Sequence, residues 1–178
     1  MDPGVAIIDF EASGLGAPGY PIEVAVALPD GRDWATLIRP EPDWIAWDPA
    51  AERIHRIPRG QAVQEGMAPT AVVAQLDALL TGQTLYCDAW LHDHRWLHRL
   101  YAAASRYPSF RLESVFTCLN EHQQLRWRWE KQCAARRLGL APHRALADAR
   151  IAQAALARLC APAVAAAEMA TTPVAEGC

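Results

Sequence analysis

Val5-Ala6-Ile7-Ile8-Asp9-Phe10-Glu11 is the stretch whose reading decides the fold. The run from Val5 to Ile8 is short, apolar and rich in β-branched side chains, and Gly14 and Gly16 follow closely. It therefore reads as a buried strand closed by a turn. Side chains two apart on a strand share a face. Asp9 and Glu11 thus stand side by side at the strand's end, with Phe10 on the other face. Two carboxylates held that close repel each other and are costly to bury unpaired. Two readings stay open here. A divalent cation sits between the acids, since hard cations such as Mg²⁺ prefer carboxylate oxygens, or an ordinary strand end runs out into a solvated loop.

Working outward, a chain of 178 residues is long enough to bury a core, and one domain is the expectation. An apolar fraction of 52% and a charged fraction of 21% suit a globular protein. The net charge of −3 neither supports nor excludes nucleic-acid binding, because ions bound at an acidic site offset its charge. No apolar run approaches the roughly 20 residues that span a bilayer, so no membrane partner is expected. The start Met1-Asp2-Pro3-Gly4 lacks the basic residues of a signal peptide. The five cysteines, Cys87, Cys118, Cys133, Cys160 and Cys178, are scattered and form no Cys-x-x-Cys pair. That favours a cytoplasmic location over a disulfide framework or a zinc finger.

In chain order, residues 22–28 and 34–38 read as further strands, and with the first they form an antiparallel meander. A short helix is expected near residues 48–55, with Pro49 in its first turn. Residues 69–80 have helical apolar spacing, 83–87 read as a strand, 91–104 as a helix and 111–116 as a strand. A long helix over 119–138 stops at Gly139, and a last helix runs from Pro142 to about residue 160. From residue 161 on, the composition suggests a flexible C-terminal tail, which leaves 1–160 as the domain. This order implies an α/β domain with a mixed sheet and helices on both faces.

Two more segments carry acids in unusual places. After the strand at 83–87, Asp88 is placed to cap the following helix, a role that aspartate fills well. Asp93 lies on the helical face of Trp96 and Leu97, where a metal at the sheet edge would explain it; pairing with Arg95 is the plainer alternative. His92, His94 and His98 accompany it, and the four-residue spacing of the last two can hold zinc, although no glutamate completes a metalloprotease pattern. Further on, His143 and Asp148 are five apart, which on one helix would turn them roughly 140° from each other. They can serve one site if His143 lies in the loop before the helix. Histidine titrates near neutral pH and suits proton abstraction from water. The alternative is a histidine that decorates the helix start and an aspartate that faces solvent.

The three segments together resemble the motifs of the DnaQ-like 3′–5′ exonucleases of the Asp-Glu-Asp-Asp-plus-histidine branch. Asp9-Phe10-Glu11-Ala12-Ser13-Gly14-Leu15 matches the first motif, Asp93-His94-Arg95-Trp96-Leu97 the second, and His143 through Asp148 the third. Ile22-Glu23-Val24-Ala25 looks like the family's second strand, and Ile54-His55 like a further segment, with Arg56 where glycine is usual. The resemblance covers about residues 4–160. It implies a ribonuclease H-like α/β fold, a mixed five-stranded sheet whose first three strands are antiparallel, flanked by helices. It also implies catalysis by Asp9, Glu11, Asp93, His143 and Asp148, the four carboxylates holding two divalent ions, Mg²⁺ or Mn²⁺. Ala12, Ser13 and Leu15 would contact the 3′ end of single-stranded DNA or RNA, and the products would be nucleoside 5′-monophosphates.

Substrate choice is less legible. Arg126, Arg128, Lys131, Arg136 and Arg137, with Trp127 and Trp129 among them, either track a single strand by charge and stacking or form a solvated helix with its tryptophans partly in the core. Asp88-Ala89 replaces the His-Asn lead-in common among proofreading subunits, which favours a free-standing nuclease. Dimers among ribonuclease T-like and oligoribonuclease-like relatives of this size leave a homodimer open. Two other classes stay in view: a catalytically idle exonuclease-like binding module, and a zinc hydrolase built on His92, His94 and His98.

Overall fold

The computed structural model of the chain describes residues 4–161. Its elements are β1 (Ala6–Ala12), β2 (Pro21–Ala27), β3 (Asp33–Leu37), α1 (Pro49–His55), α2 (Arg59–Glu65), α3 (Pro69–Leu80), β4 (Thr84–Cys87), α4 (Trp90–Ala103), β5 (Arg111–Ser114), α5 (Glu121–Leu138) and α6 (Ala145–Cys160). A 3₁₀ turn over Val115–Cys118 leads from β5 toward α5. The flexible tail expected from residue 161 onward lies, but for Ala161, outside the described residues.

The five strands form one mixed sheet in the order β3-β2-β1-β4-β5. β1 to β3 pair antiparallel, and β1–β4 and β4–β5 pair parallel. This is the α/β sheet expected above, with the first three strands antiparallel. Alternation along β1 feeds two cores. Ile8 and Phe10 join Val24, Leu76, Trp96 and Leu100 on the side of α3 and α4. Ile7 joins Val115, Trp127, Ile151 and Leu156 on the side of α5 and α6. Every residue of β2 is buried, because both its faces are covered.

Local chemistry sets most boundaries. The Asp48 carboxylate accepts from the Ala50 N–H at 2.7 Å and caps α1, with Pro49 at its start. α5 opens on a reciprocal capping box between Asn120 and Gln123 and closes at Gly139, φ 64°. The box moves its start to Glu121, two residues later than the sequence suggested. Strand β5 stops at Ser114 and not at Phe116, because the Ser114 hydroxyl accepts from the Phe116 N–H and turns the chain. Similarly, α6 starts at Ala145 and not at Pro142. Helix α2 was not expected: Arg59-Gly60-Gln61 offers no apolar periodicity, and only Ala62 of this helix is buried.

Candidate active site

The site forms where β1 lies between its antiparallel neighbour β2 and its parallel neighbour β4. Asp9 and Glu11 project from β1 on the side of Ile7, opposite Phe10. Asp93 lies in the first turn of α4, and Asp148 in the first turn of α6. Two helix N-termini, each carrying partial positive charge, thus bring carboxylates to one place.

Ligand oxygens of Asp9, Glu11 and Asp148 lie within 4.8 Å of one another, and so do those of Asp9, Asp88 and Asp93. Asp9 is common to both groups. Among the described residues the groups close enough to share a cation consist of acids alone. His94 instead stacks on Trp90 (4.7 Å between ring centroids) and lies tilted against His98 (4.3 Å) on α4. Asp93 does not pair with Arg95, whose guanidinium donates to the Leu15 carbonyl at 3.1 Å.

Burial and crowding make these acids hard to ionise together. Burial, reinforced by Asp93 and Asp148, raises Asp9 well above the ordinary carboxylate range. Burial and Asp148 push Glu11 up to about 8. Burial and Asp88 push Asp93 to about 7. Burial also raises Asp148, against the opposing bond from the His143 backbone. Asp93 is 2% exposed, and its Oδ2 has no hydrogen-bond partner. An orphaned buried oxygen within a set of hard oxygen donors is what a divalent cation fits.

His143 lies before α6, at φ 73°, the position from which it can serve one site with Asp148. Its backbone N–H donates to Asp148 Oδ2 at 2.7 Å, and the exposed residue lines a cavity together with Asp9 and Glu11. Next to it, Arg144 grips both oxygens of the buried Glu23, which also accepts from the Ala145 N–H at 3.0 Å. Glu23 lies opposite Glu11 across β1 and β2 and caps α6 from another element.

A cavity opens on each side of the acids. One, of about 530 Å³, is lined by Asp9, Glu11, Asp88, Trp127, Lys131 and His143. The other, of about 430 Å³, is lined by Asp9, Ala12, Leu15, Ile54, His92 and Asp93. Ala12 and Leu15 thus line the second cavity, and Leu15 is 67% exposed. Ser13 is turned inward: its hydroxyl accepts from the Tyr20 N–H at 3.1 Å and it is 1% exposed, so it braces the loop. Arg99 donates to the Ala17 and Gly19 carbonyls and holds that loop from α4. Trp127 is buried against Phe116, whereas Trp129 stays half exposed under Arg126.

Sequence reasoning missed the part played by Asp88 and Lys131. Asp88 does not cap α4, whose N-cap position is Ala89 and carries no side-chain cap. Its carboxylate pairs instead with Lys131 of α5. The signal available was an acid directly after a strand, which helix capping explained equally well.

Fold and site together define an α/β domain, a mixed five-stranded sheet flanked by helices with carboxylates clustered at its centre, and this fold is shared with solved exonuclease I structures. Solved structures with this fold include E. coli exonuclease I in complex with a dA16 oligonucleotide (TM-score 0.66, 16% identity, 89% of this chain and 42% of that one). Exonuclease I from Methylocaldum szegediense matches with TM-score 0.64 and 17% identity over 87% of this chain and 40% of that one. A zinc-bound E. coli exonuclease I–single-stranded DNA complex matches with TM-score 0.66 and 16% identity, over 89% and 41%. The chain thus spans about two fifths of the length of the exonuclease I chains it matches. No protein-family model and no curated protein matches the sequence.

Proposed function

We propose that this chain is a divalent-metal-dependent 3′–5′ exonuclease acting on single-stranded DNA or RNA and releasing nucleoside 5′-monophosphates. The observation that carries this reading is the pair of three-acid groups sharing Asp9, set between two cavities in a fold of the exonuclease I kind. The oligonucleotide and zinc in the matched exonuclease I structures support a nucleic-acid substrate and a cation requirement.

Asp9, Glu11, Asp93 and Asp148 would hold two ions, Mg²⁺ or Mn²⁺, which when bound supply the Lewis acidity that activates water and stabilises charge on the departing 3′ oxygen. His143 accepts the water's proton at its imidazole; its exposed position lets the ring swing over the acids and pass that proton to solvent. Asp148, through the His143 N–H, fixes the root of that residue. Ala12 and Leu15 shape the cavity for the terminal nucleotide, with Leu15 as the exposed apolar wedge.

The test is digestion of 5′-labelled single-stranded DNA and the matching RNA with Mg²⁺, Mn²⁺ or EDTA. The expected result is a ladder shortening from the 3′ end, abolished by EDTA and reduced about 10³-fold or more in Asp9→Ala. The relative rates then rank the two sugars. Absence of any ladder from folded protein with metal present overturns the reading.

A further inference from the structure

Asp88 and Glu23 both stand beside the four expected ligands, and the structure treats them differently. Glu23 is locked by Arg144 through both carboxylate oxygens and by the Ala145 N–H, and it belongs to neither three-acid group. Asp88 is held by a single ammonium, that of Lys131, and still keeps an oxygen within 4.8 Å of those of Asp9 and Asp93. A planar guanidinium gripping two oxygens is a fixture, whereas an ammonium on a flexible stem is a point charge that is readily exchanged. Lys131 is also well placed to leave: its side chain is 29% exposed and it lines the open 530 Å³ cavity. Within the same group, the buried Asp93 has an oxygen without a partner. Among the described residues the ammonium paired with this group is that of Lys131, so a second oxygen-seeking cation fits beside it.

We propose that Asp88 is a fifth carboxylate ligand, completing a cation site with Asp9 and Asp93, and that Lys131 is a tethered counter-cation which an arriving divalent ion displaces. This rests on the reading that the acid cluster binds divalent ions. The site would take a hard, oxygen-preferring cation, with three carboxylates around it. Lys131 then keeps the metal-free cluster from flying apart by occupying one of its acids. It competes with the ion for that acid, so it sets the threshold concentration for loading.

The experiment is calorimetric titration of the full chain with Mn²⁺ alone, without nucleic acid, for the wild type, Asp88→Asn and Lys131→Met. We expect two ions in the wild type. Asp88→Asn should weaken one of them about tenfold and leave the other unchanged. Lys131→Met should tighten the same ion several-fold, because the competing charge is gone. If the pair were an ordinary salt bridge, Lys131→Met would lower the melting temperature without tightening Mn²⁺, and that result overturns the proposal. Two ions bound with Asp88→Asn indistinguishable from wild type overturns the role of Asp88 alone. No Mn²⁺ uptake by the wild type overturns both this site and the exonuclease reading. Should Asp88→Asn fail to fold, the sign of the Lys131→Met effect decides.

Discussion

Asp9 is where the two groups of acids meet, and its loss should differ in kind from the loss of its neighbours. Asp9→Asn is expected to abolish uptake of both ions and Glu11→Gln of one, as counted by Mn²⁺ stoichiometry. The acids also set a pH dependence. Glu11 rises from 4.5 to about 8 and Asp93 from 3.8 to about 7 on folding, chiefly by burial. A carboxyl with a folded pKa above its unfolded one binds extra proton in the folded state between the two values. Its contribution to stability is therefore present at low pH and is lost as pH rises through that window. In EDTA the protein should melt about 5 °C or more lower near pH 8.5 than near pH 5.5, and excess Mg²⁺ should remove most of the difference. Arg56 is a second residue in a costly state. It ends α1 at φ 59°, a conformation that glycine adopts freely. Arg56→Gly should raise stability by about 0.5–1 kcal/mol in chemical denaturation.

At the scale of elements, α6 depends on a partner 122 residues from its first residue in sequence. Its first turn has no cap of its own, and Glu23 of β2 supplies one while holding Arg144. Glu23→Ala leaves the Arg144 grip and the Ala145 N–H without their acceptor, and should cost about 3 kcal/mol in denaturant unfolding. Activity should fall further than stability, because His143 and Asp148 flank that anchor. Rules acting over a few residues made several elements readable from sequence: the apolar spacing of α3, Pro49 at the start of α1, Gly139 after α5. The loop position of His143 was one of two readings that its distance to Asp148 left open. What stayed hidden involves distant partners. Lys131 reads as one more base on a polar helix, and Asp88 as a cap, until the fold sets α5 across the end of β4. Ser13 likewise sits within a motif that implies substrate contact, but Tyr20 seven residues later turns it inward. Helix α2 had no pattern to find, because most of it faces water.

For the whole molecule, no helix among the described residues is long and apolar enough to cross a membrane. The sheet carries the acids at its centre, and the two cores on its faces fix the helices whose first turns complete the cluster. Cation binding should therefore stabilise the entire fold and not only the site. At a Mn²⁺ concentration of 100 times the dissociation constant, each ion should add about 2.7 kcal/mol, read as a saturable rise in melting temperature that Asp9→Asn lacks. The loop after β1 has a bearing on rates as well. Its carbonyls are held from α4 by Arg95 and Arg99, and it is packed so closely that a Cβ on Gly19 would lie 2.0 Å from the Gly14 oxygen. A rim fastened in this way has its shape before any strand arrives. On the proposed exonuclease reading, capture of a 3′ end should then be a single kinetic step whose rate rises linearly with substrate concentration, with encounter by diffusion and not loop closure setting its speed.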